Sequence, residues 1–234
     1  MRPPLHAWDL SPEAARAVQA RLRPQVVTDT PLPLDAIGAV GGVDISVKDD
    51  TARAAIVVLR FPDLTPVDVA LAEMPVPFPY VPGLLVFREG PSILAALARL
   101  ERLPDVLIFD GHGLAHPRRM GIACHMGLWT GVPSVGCAKS ILVGRHDAIG
   151  NEKGAWAALV HEGEVVGAAL RTRDGVNPVY VSVGYRADLD TARALVLRCC
   201  TRYRLPEPTR LAHRAAGGED VIGPRGEEQL SLFR

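Results

Sequence analysis

The stretch Asp105-Val-Leu-Ile-Phe-Asp110 (DVLIFD, residues 105–110) decides the fold class. Its apolar residues run without alternation between two acids, the pattern of a short strand covered on both faces. Before it, Glu89–Leu103 carries Ile93, Leu94, Leu97 and Leu100 on one helical face. After it, Met120–Trp129 reads as a helix and Ser134–Ala138 as another buried strand. Further upstream lie Ala36–Val47, Arg53–Phe61 and Pro66–Met74, short segments rich in Val, Ile and Ala. They are separated by the turn signals Lys48-Asp49-Asp50 and Pro62-Asp63-Leu64, and so predict an antiparallel meander. The expected fold is α/β. Its mixed sheet is antiparallel in the first three strands and parallel after them, and helices flank it.

The rest of the chain fits around that frame. Ser11-Pro12-Glu13 supplies a cap, a proline at the first helical position and an acid in the first turn, for a helix to about Leu22. Residues 75–83 (PVPFPYVPG) hold four prolines and are expected to be extended rather than strand or helix. Ala155–Leu170 predicts a hairpin turning at His161-Glu162-Gly163, and Val179–Gly184 one more strand. Asp188–Tyr203 and Pro208–Ala216 predict helices. Gly217–Arg234 is polar and glycine-bearing. The expectation is one domain over residues 1–216 and a flexible C-terminal tail over 217–234.

Composition bounds the function. The chain has 234 residues, 48% of them hydrophobic and 22% charged, enough for a core of ordinary size. Lys and Arg balance Asp and Glu at net charge zero, so a polyanion would have to meet a local patch. Residues 198–214 offer one, with Arg198, Arg202, Arg204, Arg210 and Arg214 against the single acid Glu207. The four cysteines, Cys124, Cys137, Cys199 and Cys200, form no C-x-x-C pair. This excludes a disulfide framework or zinc site and suits a reducing compartment. The first ten residues lack the apolar core of a signal peptide, and no apolar run is long enough to span a bilayer. A cytoplasmic protein without membrane contact is expected.

Two acids stand out against their surroundings. Asp44 interrupts the apolar stretch 39–47, and Asp110 closes the run 106–109. A buried carboxylate is costly unless it is paired or binds a metal. The plainer reading of Asp110-Gly111 is a turn, and Glu89 alone reads as an acid at a helix start. If the first strand lies beside the fourth, Asp44 and Asp110 come side by side, with Glu89 approaching from the helix between. Three carboxylates and few soft ligands suit Mg²⁺ or Mn²⁺, ions that serve phosphodiester hydrolysis. The segment GHGLAHPRR (residues 111–119) follows, with histidines that can donate to phosphate and arginines that can hold it. Lys139 closes the run 134–138.

Several blocks together resemble the endonuclease V family, the inosine-directed nucleases. They are GGVDISV (41–47), PFPYVPGLLVFREGP (77–91), DVLIFDGHGLAHPRRMGIACHMGL (105–128), PSVGCAKSIL (133–142), NPVYVSVGYR (177–186) and YRLPEPTRLAH (203–213). The resemblance implies an RNase H-like fold. It further implies Asp44 and Asp110 as principal Mg²⁺ ligands, with Mn²⁺ able to substitute, and Glu89 completing the cluster. His116 and Lys139 would assist at the scissile phosphate. Tyr80 in the PYVP segment, with Pro82 behind it, would be a wedge beside the lesion. Gly83, Leu85 and Gly111 would line a pocket for the extruded base, and His213 would approach the metal site from the C-terminal helix. The implied reaction is DNA repair: cleavage of the second phosphodiester bond 3′ to deoxyinosine, leaving 5′-phosphate and 3′-hydroxyl ends. The alternatives are an endonuclease for inosine in RNA and a catalytically silent binder of deaminated nucleic acid.

Near the end of the sequence, Gln229-Leu230-Ser231-Leu232-Phe233 resembles the bacterial sliding-clamp-binding pentapeptide. In such a motif the Gln229 amide anchors one end, while Leu232 and Phe233 fill an apolar pocket. The expected partners are therefore DNA containing deoxyinosine and a sliding clamp, and the expected state is a monomer.

Overall fold

The computed structural model describes residues 3–76 and 78–222. Within them, eight strands make one sheet: β1 Ala39–Lys48, β2 Thr51–Arg60, β3 Pro66–Pro75, β4 Val106–Phe109, β5 Ser134–Ala138, β6 Trp156–His161, β7 Glu164–Leu170 and β8 Val179–Tyr185. Their order across the sheet is β3-β2-β1-β4-β5-β8-β7-β6. The meander β1–β3 is antiparallel, and the pairs β1–β4 and β4–β5 are parallel. Beyond β5 the sheet turns antiparallel again through β8, β7 and β6, the last two a hairpin that turns at Glu162-Gly163.

Among the described residues, five α-helices cover the faces: α1 Pro12–Leu22, α2 Leu85–Leu97, α3 Ile122–Thr130, α4 Leu189–Arg198 and α5 Glu207–Ala216. Ser11 caps α1 by accepting from the Ala14 N–H at 3.2 Å, and Asp188 caps α4 by accepting from Thr191 at 2.7 Å. The apolar run of β4 is covered on both sides. Leu107 and Phe109 pack with Phe87, Ile93 and Met126 from α2 and α3, while Val106 and Ile108 pack with Leu195 and Val196 from α4. That two-sided burial explains the missing alternation.

Two helices differ from their expected spans by more than two residues at an end. α2 begins at Leu85, four residues before Glu89, and runs through Pro91. Gly83, at φ +78°, turns the chain so that the helix can start there. Glu89 is thus one turn inside the helix rather than at its start. α4 stops at Arg198, because the chain leaves the helix to bring Arg204 onto the carbonyls of Asn177, Pro178 and Lys139.

Gly42 shows what places α5. A Cβ at that position would overlap the Pro208 carbonyl, so only glycine lets the helix lie directly on β1. The chain stays on the body past the end of α5. Arg214 Nε donates to Glu219 at 2.7 Å, and Val221 packs beside Leu211 and Ala215. The pentapeptide Gln229–Phe233 and most of the expected tail lie outside the described residues. Among the described residues, no helix is long and apolar enough to cross a membrane.

Candidate active site

The parallel pairing of β1 with β4 matches Val43 to Phe109, and the Asp110 N–H donates to the Val43 carbonyl at 3.0 Å. The next residue on each strand is an acid. Val43 and Phe109 point into the core under α2 and α3. By strand alternation, Asp44 points to the opposite face, where α5 lies. There His213 Nδ1 meets Asp44 Oδ2 at 2.7 Å. Lys139, just past the end of β5, pairs its Nζ with Asp110 Oδ2. One ligand atom each from Asp44, Asp110 and His213 lie within 4.8 Å of one another.

This set fits a divalent cation. Asp44 is buried, and its pKa is raised first by desolvation and then by the charge of Asp110; His213 and Lys139 only partly offset this. Glu89, buried on α2, is pushed up to about 8, chiefly by burial and next by Asp44. Buried carboxylates whose charges oppose one another are relieved by a cation, and two carboxylates with one imidazole are donors that can hold a divalent metal. Glu89 is close enough to feel Asp44 but does not join the tight group of ligand atoms. His213, expected to approach the metal site from the C-terminal helix and to contact nucleic acid, does join it. Trp8 packs directly on Gly90 and so holds α2 beside this centre.

A cavity of about 280 Å³ adjoins the acids. Tyr80, Pro82, Gly83, Leu85, Gly111 and Ile122 line it, with Ser140 and Leu142 at one side. Gly111 follows Asp110 and Ser140 follows Lys139, so the same strand ends supply the centre and the cavity wall. The proline-bearing loop is anchored by Phe78, buried in the core, whose carbonyl accepts from Arg88 at 3.3 Å. Tyr80 stands at its tip, 71% exposed.

His116 braces this cavity. Its Nε2 donates to the Gly83 carbonyl at 2.9 Å, and its Nδ1 accepts from the Arg118 N–H at 3.1 Å. Both nitrogens are committed to backbone, which fixes the neutral tautomer. Burial pushes its pKa down to about 4. The structure thus places His116 in the cavity wall, in contact with backbone rather than with the acids.

The arginine run 198–214 is largely spent on the protein itself. Arg198 pairs with Asp35, Arg210 with Glu207 and Arg214 with Glu219, and Arg204 binds three carbonyls. Gln19 of α1 lines the cavity too. Sequence reasoning had no signal for it, since one amide in an amphipathic helix is unremarkable.

Comparison with known proteins places this architecture. Residues 20–214 match the family model described as Endonuclease V. The chain is 55% identical to Endonuclease V of Roseiflexus castenholzii over 214 residues, covering 90% of this chain and 94% of the relative. It is 53% identical to Endonuclease V of Myxococcus xanthus, covering 92% of each. Among solved structures, Endonuclease V from Streptomyces avermitilis superposes with a TM-score of 0.87 at 46% identity, covering 90% of this chain and 93% of the other. Endonuclease V from Ciona intestinalis, in complex with a 24mer DNA containing an inosine followed by a ribo-adenosine, gives a TM-score of 0.75. It is 25% identical and covers 95% of this chain and 98% of the other. The fold is RNase H-like, and the chain belongs to the endonuclease V family of nucleases.

Proposed function

We propose that this protein is a DNA repair endonuclease that hydrolyses the second phosphodiester bond 3′ to deoxyinosine, with Mg²⁺ as its working ion and Mn²⁺ able to replace it. The observation that carries this reading is the adjacency of the acidic centre and the glycine-lined cavity, which share the ends of β4 and β5. A base extruded into the cavity would hold its own strand against the acids. The inosine-containing DNA bound by the Ciona relative supports the substrate.

Asp44 and Asp110 hold the ion, with His213 beside them and Glu89 as an outer acid. The ion, when bound, supplies positive charge at the scissile phosphate and acidifies water there. Lys139 sets an ammonium against Asp110, positioned to meet a phosphate oxygen. Tyr80 fills the space that the extruded base leaves, and its proline-stiffened loop loses little entropy on insertion. Backbone groups of Gly83 and Gly111, with Leu85, read the base edge. Hydrolysis leaves a 5′-phosphate and a 3′-hydroxyl, with the base still attached.

The deciding experiment presents matched DNA and RNA strands, each with one inosine, and maps the product ends in Mg²⁺ and in Mn²⁺. A single nick in DNA at the second bond 3′ to the lesion is expected. Base release, cleavage of undamaged strands or absence of turnover with either ion would overturn the reading. A strong preference for the RNA strand would move the substrate to inosine-containing RNA.

The pentapeptide Gln229–Phe233 is proposed as a contact to a bacterial sliding clamp, which would bring a monomeric enzyme to replicated DNA. Its support is the full match of side chains to such a motif. Calorimetry with and without residues 229–234 tests it: affinity that depends on the segment is expected, and equal, negligible heats would refute it. Four free, buried cysteines support a reducing, cytoplasmic setting.

A further inference from the structure

One amide connects the two sides of the cavity. Gln19 is 1% exposed, and its Nε2 donates to the Gly83 carbonyl at 3.0 Å and to the Met120 carbonyl at 3.1 Å. Its Oε1 accepts from Arg118 Nε at 2.6 Å. Both amide hydrogens are used, and two carbonyls facing the nitrogen with a guanidinium facing the oxygen leave a single amide orientation. The residues it ties are not neighbours in the chain. Gly83 closes the proline-bearing loop, Met120 precedes α3, and both line the cavity.

The Gly83 carbonyl is the focus of the arrangement. It also accepts from His116 Nε2 at 2.9 Å and from Arg118 Nη2 at 2.8 Å. Three donors therefore converge on a residue at φ +78°. His116 and Arg118 come from the same loop as Met120, so they pull the wall at Gly83 toward that loop. Only Gln19 comes from a separate element. It spans both walls from α1, which contributes nothing to the acidic group, and so fixes their spacing without touching the centre.

We propose that Gln19 is a positioning residue that sets the width of the base pocket and thereby selects for a flat deaminated purine over other bases. This rests on the reading of the cavity as the base pocket. Losing the amide would leave the Met120 carbonyl short of that donor and cut the one bond from α1 to the Gly83 carbonyl, which His116 and Arg118 would then hold alone, freeing the two walls to shift apart. Discrimination by a pocket of fixed shape depends on such spacing, because poorly matched bases are rejected through unpaired groups and clashes.

The test compares wild type with Gln19→Glu and Gln19→Met on duplexes carrying deoxyinosine, deoxyuridine or a mismatched adenine. Gln19→Glu is nearly isosteric and keeps the bond to Arg118, but sets an acceptor against both carbonyls. For both variants, KM on deoxyinosine is expected to rise about tenfold while kcat falls less than about threefold. Preference for deoxyinosine over deoxyuridine should fall by about tenfold or more, with unchanged Mn²⁺ affinity by calorimetry. Variants with wild-type discrimination would overturn the proposal, as would loss confined to kcat. Failure of both variants to fold would overturn it too, because Gln19 would then be a determinant of the fold. If wild type itself shows no preference for deoxyinosine, the pocket reading fails instead.

Discussion

At the acidic centre, Asp44 and Asp110 share one lysine and one histidine between them, and Glu89 adds a further buried acid nearby. One residue along each strand end, the cavity is the reverse. Gln19, His116 and Arg118 are bonded to backbone or to one another, and the rest of the wall is glycine and apolar side chains with Tyr80, His112 and Ser140. The first region holds excess negative charge that a cation would relieve. The second is braced by hydrogen bonds from Gln19, His116 and Arg118, and no acid lines it among the described residues. Chemistry and selection are thus separable: a change at the acids should stop cleavage and spare recognition, and a change at the pocket should do the opposite.

The largest expected effect breaks the first region. Asp44→Asn should lower the cleavage rate on the order of 10³-fold or more, because the amide neither carries the charge nor matches the ligand set. It should not lower the melting temperature of the metal-free protein, since it removes a carboxylate that burial and Asp110 oppose. A fall of several degrees would mean that the carboxylate serves the fold.

The next effect concerns the rim of the second region. Tyr80 is 71% exposed, so Tyr80→Ala should leave the melting temperature unchanged. Stacking of this kind contributes about 2 kcal/mol, so affinity for the deoxyinosine duplex should weaken about 30-fold in a binding titration. Equal affinity would remove the wedge from the account.

The smallest effect is a pH dependence. His116 is held near 4 in the folded protein against an ordinary value of 6.5. The folded state therefore binds fewer protons, and its stability rises with pH. This contribution is complete above 6.5 and is lost as pH falls toward 4. From pH 7.5 to 5.5 the loss is about 1 kcal/mol. Denaturant titrations at both pH values should show a shallower acid loss for His116→Gln, and identical losses would contradict the brace.

Much of this contrast is legible in the sequence, for particular reasons. Asp44 is visible because a charge inside an apolar strand is costly, and Asp110, which alone reads as a turn residue past β4, gains its meaning beside it. Their adjacency follows once β1 pairs with β4. Glu89 is harder, because its helix begins four residues earlier than an acid followed closely by a proline suggests. His213 meets Asp44 from 169 residues away, and only the packing of α5 on Gly42 makes that contact. The arginine run is dense in sequence yet mostly paired within the fold, so composition overstates it as a patch. Gln19 and the committed tautomer of His116 leave no trace in spacing or period, because their partners are backbone carbonyls and N–H groups whose places the folded chain alone decides.

The separation of chemistry from selection is tested most directly by measuring binding and single-turnover cleavage together for Asp110→Asn on a duplex with one deoxyinosine. Affinity within about threefold of wild type and cleavage reduced on the order of 10³-fold are expected. Retained cleavage, or affinity that falls in step with it, would contradict the account.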